Sequence, residues 1–104
     1  MFKFSLNLVK QMCGFEISSD EFFKILNLQG FEVDETFKKD DDTIVTIEVK
    51  ANRPDMLCHL GIAREICAFK GKEIPRVEVS DKPFGNNLFP MDVEVDPDAC
   101  SRFC

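Results

Sequence analysis

The stretch "KANRPDMLCHLGIAREICAFKG", residues 50–71, leads an extended chain into a helix and decides the fold. Pro54 has a φ angle fixed at about −65° and no backbone N–H, so it suits the first position of a helix. A proline also favours an extended conformation in the preceding residue, here Arg53, which ends a strand. Asp55 then lies in the first helical turn, where the helix dipole stabilises a carboxylate by about 0.3–1 kcal/mol. These residue types predict a rigid strand-to-helix corner.

The helix after the corner is predicted over roughly residues 56–70. Apolar residues at i, i+4 and i+7, with three flanking ones, form a single helix face. They are Ile62, Ile66 and Phe69, flanked by Leu60, Ala63 and Cys67. Gly71 ends this helix and Pro75 prevents it from resuming.

Two residues of the corner have more than one possible role. The guanidinium of Arg53 has five N–H donors, which suit backbone carbonyls, a carboxylate such as Glu65, or an external phosphate. Asn52 tolerates unusual backbone angles and can bond nearby backbone groups. We favour an internal partner for Arg53, and the three alternatives stay open at this point.

Two amphipathic helices are predicted before the corner. The first starts after Ser5, whose side chain can cap it, and ends at Gly14, which suits a left-handed residue. Its buried face is Leu6, Val9 and Cys13.

The second helix has a clearer start. Ser18 and Glu21 have the spacing of a capping box, in which each side chain bonds the other residue's backbone N–H. Gly30 closes this helix, and its buried stripe is Phe22, Ile25 and Leu26.

Two strands are predicted between the second helix and the corner. "FEVDETF" alternates, with Phe31, Val33 and Phe37 on one face and Glu32, Asp34 and Thr36 on the other. "TIVTIEVK" alternates in the same way through Val45, Ile47 and Val49. Period-two alternation of β-branched residues indicates half-buried strands, and the polar run at 38–42 indicates a hairpin connection. The predicted fold class is α+β, a small three-helix unit with a β-hairpin.

Three segments are predicted along the chain. Residues 1–75 form the helical and hairpin domain, and residues 76–90, rich in Pro, Gly and Asn, form a linker. Residues 91–104 open a new strand through Met91, Val93 and Val95 and then stop, as expected for the start of a following module in a longer protein.

Charge and cysteine content narrow the class of protein. The formal net charge of −6 disfavours non-specific attraction to a phosphate backbone. Residues 1–49 carry five Lys/Arg against ten Asp/Glu, residues 50–76 six against three, and residues 77–104 two against six, so only the corner segment is basic. That excess hints at an anionic partner, although an ordinary solvated face is the favoured interpretation. Five cysteines without a regular framework, and no signal peptide or membrane-length apolar run, predict a cytosolic protein with reduced thiols and no membrane partner.

No catalytic or metal-binding arrangement is predicted. His59 is the only histidine, and no Ser or Cys stands in a motif that would use it as a base. Zinc is disfavoured because there is no CxxC pair and because Cys58 and His59, adjacent on a helix, would point about 100° apart. The acids Asp34/Glu35 and Asp40–Asp42 are expected to be solvated surface. There is no glycine-rich phosphate loop and no Walker-type lysine.

The sequence resembles the start of the beta subunit of bacterial phenylalanyl-tRNA synthetase. Three segments carry the resemblance in order, "FKFSLNLVKQMCGFEISSDEFFKILNLQGFEVDE", "TIVTIEVKANRPDMLCHLGIAREICAFKGKEIP" and "MDVEVDPDACSRFC". The most specific element is Asn52, Arg53, Pro54 and Asp55 followed by "LGIARE", which contains Arg64 and Glu65. These six residues are the predicted motif, either a structural corner or a contact for a partner.

The resemblance implies a first domain that is loosely winged-helix-like and belongs to a cytoplasmic complex of two alpha and two beta subunits. That complex joins phenylalanine to its tRNA with ATP and magnesium, and its catalytic pocket lies on the alpha subunit. The resemblance therefore implies no catalytic, cofactor-binding or metal-binding residue in this chain. The implied partners are the alpha subunit and the remainder of the beta subunit, with tRNA bound only by the whole complex. The final strand resembles the opening of an editing module, from which no residue can be carried over.

One departure from the family concerns the hairpin. Bacterial beta subunits usually carry an oligonucleotide-binding, tRNA-binding module between the two predicted strands, whereas "KKDDD" alone joins them here. Three functions remain open. The first is a non-catalytic structural domain of the synthetase. The second is a winged-helix-like nucleic-acid-binding module that uses Arg53, Arg64, Lys70 and Lys72, and the third is a free-standing synthetase-like paralogue that binds another partner through exposed Phe side chains.

Overall fold

A computed structural model describes residues 1–81 and 92–102 of the chain. Three α-helices pack on one face of a three-stranded antiparallel sheet of order β1-β3-β2, so the predicted α+β class is confirmed. The elements in chain order are β1 (Phe2–Ser5), α1 (Leu6–Cys13), α2 (Ser19–Leu28), β2 (Val33–Lys39), β3 (Asp42–Ile47), a 3-10 helix (Pro54–Met56) and α3 (His59–Phe69).

The first strand, β1, was not predicted. It pairs with β3 and turns the expected two-stranded hairpin into a three-stranded sheet, with Phe4 opposite Val45. Phe4 is fully buried against the helices and contacts Phe22 of α2, with ring centres 6.2 Å apart. Four residues directly before a helix cap contain too few alternations to indicate a strand, so this apolar stretch is not distinguished from the start of α1.

The second strand corrects the predicted alternation. A β-bulge lies between Val33 and Glu35, because Val33 pairs with Ile47 whereas Glu35 pairs with the adjacent Thr46. The extra residue reverses the sides of all later residues of β2. Phe37 was predicted to share a face with Val33. It lies instead on the opposite side of the sheet and is 41% exposed.

The hairpin turn is shorter than the predicted connection. Lys39 pairs with Asp42, so the turn itself is Asp40 and Asp41, and Asp40 has a φ of +53°. Aspartate tolerates this left-handed region better than most residues.

The helix starts and stripes largely follow the sequence. The Ser5 hydroxyl accepts a hydrogen bond from the N–H of Leu8 at 3.0 Å, and Gly14 ends α1 with a φ of +72°. The Ser18 hydroxyl accepts from the N–H of Glu21, but the other half of the predicted capping box is not formed. The Glu21 carboxylate instead accepts a hydrogen bond from Lys70, the C-cap residue of α3, at 2.6 Å. The predicted buried faces of α1, α2 and α3 are confirmed except for Phe69, which is 48% exposed, and Leu60, which is half-buried.

Asp42 corrects the prediction that the acidic run is only solvated surface. Its carboxylate accepts hydrogen bonds from the Ser5 hydroxyl and from the backbone N–H groups of Asn7 and Thr43. It therefore caps the first turn of α1 from a neighbouring strand and fastens the hairpin to the helix. These bonds, chiefly the one from Ser5, lower the pKa of Asp42 below its ordinary value.

The C-terminal segment differs from the prediction. Residues 92–96 form no strand, and Val93 and Val95 are exposed, while Met91 and residues 82–90 lie outside the described ranges. An alternating sequence forms a strand only where a neighbour completes its hydrogen bonds, and every strand pairing in the described part of the chain lies within β1, β2 and β3. The division into residues 1–75, 76–90 and 91–104 stays a prediction.

The core assignment of α3 can be tested with Ile66→Asp. Ile66 is completely buried, so an unpaired charge there costs several kcal/mol, and we expect the domain to unfold. Phe69→Asp on the same helix is the control, and its melting temperature should stay close to that of the wild type. A thermal melt followed by circular dichroism checks both, and an unchanged transition for Ile66→Asp would show that the core is wrongly assigned.

The Asp42 cap predicts a pH dependence. Because the pKa of Asp42 is lowered in the folded state, its stabilisation is present above the ordinary aspartate value of about 3.9 and is lost as the pH falls through the lower folded value. We expect Asp42→Asn to be less stable than the wild type at pH 7 and to lose less stability between pH 7 and pH 3. Urea melts across this range measure the difference, and parallel curves for the two proteins would contradict it.

Candidate functional site

The Asn52–Asp55 motif forms a compact corner rather than a continuous helix start. Residues 50–53 make a turn closed by a 2.9 Å hydrogen bond from the N–H of Arg53 to the carbonyl of Lys50. Pro54 occupies the first position of the 3-10 helix, as its geometry predicts, and Met56 anchors that helix in the core with no exposed surface. The predicted helix start near residue 56 is wrong, because the α-helix begins only at His59.

The delayed helix start has a cause in Cys58. Its backbone is extended, with φ −155° and ψ 156°, and its sulfur accepts a hydrogen bond from the N–H of Gly61 at 3.3 Å. Cys58 is therefore the N-cap of α3. Cysteine is not among the usual N-cap residues, so no sequence signal marks this position.

Gly61 allows the corner to pack against the helix. A Cβ atom at this position would lie 1.7 Å from the carbonyl oxygen of Asp55, far inside van der Waals contact. Only glycine fits there, since the obstacle is backbone and not a movable side chain. The "LGIARE" segment thus carries a steric requirement that periodicity alone does not reveal.

Arg53 joins the corner to two other parts of the domain. One of its terminal nitrogens, Nη2, lies 2.7 Å from the Glu65 carboxylate on α3, and the same guanidinium binds both oxygens of Asp55 at 3.0 and 3.1 Å. Its Cζ atom is 5.0 Å from the ring centre of Phe31, which lies before β2. Of the partners that the sequence left open, Arg53 therefore contacts the carboxylate of Glu65, and the Arg53 and Glu65 side chains are only 32% and 21% exposed.

These contacts fix the charge states of the corner. The hydrogen bonds that Arg53 donates to Asp55 and then to Glu65 raise the pKa of Arg53 further above its ordinary value, and the bond to Asp55 lowers the pKa of that carboxylate. Asp55 is thus held as a carboxylate around neutral pH. A general base needs a pKa near the working pH, so the electrostatics of this corner suit an ion pair and not proton transfer.

The remaining two motif residues are not part of this cluster. Asn52 is exposed, and its side chain makes no hydrogen bond within residues 1–81 and 92–102. Arg64 is also exposed and acts on Asp55 only through its charge. The structure therefore brings together Arg53, Pro54, Asp55 and Glu65, and it leaves Asn52 and Arg64 at the surface.

The contacts of His59 join parts of the fold to one another. Its Nε2 atom accepts a hydrogen bond from the backbone N–H of Ser5 at 3.2 Å. The imidazole packs edge-on against Phe2 and Phe4, with ring centres 5.9 and 6.4 Å away. His59 thus connects the start of α3 to the junction of β1 and α1.

The cysteines that the structure describes form no metal site. Cys13, Cys58, Cys67 and Cys100 are free thiols. Cys13 and Cys67 are buried between α1 and α3, where burial and the neighbouring thiol raise the pKa of Cys13 to about 12. No three His, Cys, Asp or Glu side chains within the described ranges are arranged to hold a metal ion. Nor does any helix there have the length and hydrophobicity that a membrane crossing requires.

Most cations that the sequence offered to a phosphate have protein partners. Arg53 is paired as above, and Lys70 bonds Glu21 of α2 at 2.6 Å. The ammonium group of Lys72 lies 5.8 Å from the ring centre of Phe15. Arg64 is the remaining member of the proposed set, and one exposed arginine does not form a phosphate-binding surface.

The steric requirement at Gly61 predicts the effect of Gly61→Ala. Helix propensity alone would favour alanine by about 1 kcal/mol. The clash with Asp55, however, pushes the corner away from α3, so we expect the free energy of unfolding to fall by about 3 kcal/mol in total. Ala68→Gly, at an exposed position of the same helix, should cost about 1 kcal/mol from propensity alone. Urea unfolding measures both free energies, and a stabilised Gly61→Ala would exclude the close packing described here.

Two arginines of the motif give a matched pair of variants. Arg53→Ala removes the link between the corner and α3 and should lower the free energy of unfolding by about 1–2 kcal/mol, since partly buried charged hydrogen bonds are lost. Arg64→Ala removes an exposed charge and should change it by less than about 0.5 kcal/mol. Equal effects of the two changes, measured by chemical denaturation, would show that Arg53 has no special structural role.

Comparison with known proteins identifies the family. The family described as "Phe-tRNA synthetase beta subunit B1 domain" matches residues 3–72, more than half of the 104-residue chain. The phenylalanine–tRNA ligase beta subunit of Rhodopirellula baltica is 32% identical over 89 residues, which cover 84% of this chain and 13% of that protein. The beta subunit of Fusobacterium nucleatum is 36% identical over 66 residues, covering 61% of this chain and 8% of that protein.

A third relative matches over a similar length. The probable phenylalanine–tRNA ligase beta subunit of Encephalitozoon cuniculi is 32% identical over 65 residues, or 62% of this chain and 12% of that protein. No solved structure matches the chain. The chain thus spans between 8% and 13% of the length of these three relatives. The match includes the whole corner, from Asn52 to Glu65, and the chain belongs to the phenylalanyl-tRNA synthetase beta-subunit B1 domain family.

Proposed function

We propose that this chain is a non-catalytic structural unit of a phenylalanine–tRNA ligase beta subunit, and that it packs against the rest of that subunit and supports assembly with the alpha subunit. In this proposal the chain contributes to charging tRNA with phenylalanine only as a part of the complex. ATP and magnesium act on the alpha subunit, and tRNA is bound by the complex in the cytoplasm.

The observation that supports the proposal most directly is the bonding of Arg53 to carboxylates within the domain. A guanidinium that recognises a substrate or a phosphate needs donors directed outward. Here Arg53 is bonded to Asp55 and Glu65 and stacked over Phe31. Three of its five N–H donors bind carboxylates within the domain, which supports a role of the motif in maintaining the fold.

The arrangement of cations favours this function over a nucleic-acid-binding module. Two cations of the basic segment are neutralised within the protein, because Arg53 pairs with Asp55 and Glu65, and Lys70 pairs with Glu21. An electrostatic nucleic-acid site needs several accessible Lys or Arg side chains, because each neutralised phosphate contributes separately to affinity. Titration of the isolated chain with tRNA at low salt should show no binding, and a complex that weakens steeply with salt would favour the alternative.

Assembly and catalysis can be separated in one experiment. The beta-subunit polypeptide is expressed with the alpha subunit, either intact or without residues 1–75. We expect the deletion to reduce the amount of complex that co-purifies, because a packing unit is missing, and to leave phenylalanine-dependent pyrophosphate exchange per assembled complex unchanged. The isolated chain should show no such exchange.

Two results would contradict the proposal. One is pyrophosphate exchange by the isolated chain, which would place chemistry in it. The other is a complex that assembles normally without residues 1–75 and yet cannot activate phenylalanine. Failure of the intact polypeptide to co-purify with the alpha subunit would instead favour a free-standing paralogue.

A further inference from the structure

The two edges of the sheet differ in whether another element covers them. The order β1-β3-β2 makes β1 one edge and β2 the other. In β1, the backbone N–H of Ser5 bonds Nε2 of His59, whose ring packs against the two phenylalanines of that strand, so α3 covers this edge. In β2, residues 34–39 are exposed, and no further strand lies beside them in the described part of the chain. An uncovered edge strand is a template for pairing with another strand.

The backbone groups of β2 point outward at alternate residues, as in any antiparallel strand. The N–H of Ser5 points away from β3, since it bonds the histidine of α3. Ile44, which is opposite Ser5 in β3, therefore directs its backbone groups toward Phe37 of β2. The N–H and C=O groups of the neighbouring Thr36 and Lys38 consequently point away from the sheet, where a further strand could bond them.

The charge of β2 changes sign along the strand. Two acids, Asp34 and Glu35, lie near its start, and two lysines, Lys38 and Lys39, end it. None of the four has an ion-pair partner within residues 1–81 and 92–102. Charged residues usually protect an edge because like charges meet when two copies pair. In an antiparallel pair of β2 strands, however, the acidic start of one lies beside the basic end of the other, so the charges attract.

We propose that β2 is a self-association edge, through which two copies of this chain pair antiparallel about a two-fold axis at Phe37. The two sheets then join into one sheet of six strands. In this register Phe37 is opposite its counterpart, and Glu35 is opposite Lys39 of the second copy. This inference goes beyond the proposed function and does not depend on it.

The direction of the backbone groups limits the possible registers. Thr36 and Lys38 point outward, so the hydrogen bonds between the two copies must join these residues to each other or to themselves. Moving the axis one residue toward the turn places Lys38 opposite itself, where like charges meet. Moving it one residue toward the start of β2 makes the ion pairs depend on Asp34, the extra residue of the β-bulge, which has no partner in β3.

The register with its axis at Phe37 avoids both problems. The backbone of Phe37 points toward β3, so the two Phe37 residues form a non-hydrogen-bonded pair, in which opposite side chains lie closest together. Phe37 is 41% exposed, so its ring has surface to bury against its counterpart. Glu35 and Lys39 lie two residues to either side, on the same side of the sheet, so one ion pair flanks the aromatic contact at each end.

The short length of the contact predicts a weak and reversible dimer. Pairing of residues 35–39 of each copy gives a contact about 17 Å long at about 3.4 Å per residue. One strand pair of this length is smaller than the stable interfaces that bury about 800 Å² on each partner. We therefore expect monomers at low micromolar concentration and dimers as the concentration approaches about 1 mM.

Sedimentation velocity of the 104-residue chain tests the inference, from about 10 μM to about 1 mM. The wild type should shift from monomer to dimer over this range. Lys39→Glu should weaken the dimer by about tenfold or more, because two-fold symmetry places like charges at both ends of the contact. Glu35→Lys should do the same. Lys24→Glu makes the same change of net charge at an exposed position of α2, and it should dimerise as the wild type does.

A mixture of the two β2 variants separates a specific register from general repulsion. In a mixed pair, both ends of the contact again bring opposite charges together. Glu35→Lys and Lys39→Glu should therefore associate with each other although neither associates with itself. The double variant that carries both changes should also regain self-association. Circular dichroism melts at low concentration should show a folded monomer for every variant, because both side chains are exposed.

Three results would overturn the inference. The first is a wild-type chain that stays monomeric up to about 1 mM. The second is a Lys39→Glu variant that dimerises as strongly as the wild type, and the third is a mixture of folded Glu35→Lys and Lys39→Glu chains that does not associate. A dimer that is lost in Lys3→Glu but kept in Lys39→Glu would place the contact at β1 and would equally exclude β2.

Discussion

The ion pair between Arg53 and Glu65 and the close approach of Gly61 to Asp55 fix the direction in which the chain enters α3. The corner closes at two points, one electrostatic and one steric. Because α3 supplies Ile62 and Ile66 to the core, its placement determines whether α1 and the sheet enclose a common interior. The corner thus sets the direction of α3, and the apolar residues of α3 fill the core.

The corner fixes the orientation of the 3-10 helix relative to α3 more than it increases the free energy of unfolding. Exposed ion pairs are typically worth about 0–1 kcal/mol, and the pairs of Arg53 are only partly buried. A guanidinium that binds two carboxylates in fixed directions nevertheless excludes other orientations of the 3-10 helix relative to α3. A motif that orients an element in this way can characterise a family without taking part in its chemistry. The same charged residue types, arginine and aspartate, could also form a binding site, so the sequence alone does not separate the two roles.

The sequence predicted the elements whose signals are local. The caps at Ser5 and Ser18, the buried stripes of α1 and α2, and the hairpin all depend on residues within a few positions of one another. The features that it missed depend on distant neighbours. The strand β1 exists because β3 lies beside it, and the bulge near Val33 that exposes Phe37 depends on the register with β3.

The residues of the candidate site likewise fall into those with a local sequence signal and those that depend on distant neighbours. Pro54 at a helix start follows from its own geometry, and Glu65 was among the partners considered for Arg53. The N-cap role of Cys58 and the α1 cap by Asp42 were missed because a weak sulfur acceptor and an acid in a hairpin turn give no local signal. Gly61 gave none either, since its requirement arises from a backbone carbonyl six residues earlier.

A double-mutant cycle on Arg53 and Glu65 tests the central claim most directly. The free energies of unfolding of Arg53→Met, Glu65→Gln and the double variant are compared with that of the wild type. If the pair holds the corner to α3, the two changes should be coupled by about 1 kcal/mol or more. A coupling energy near zero would show that the two side chains act independently and would contradict the role assigned to the corner.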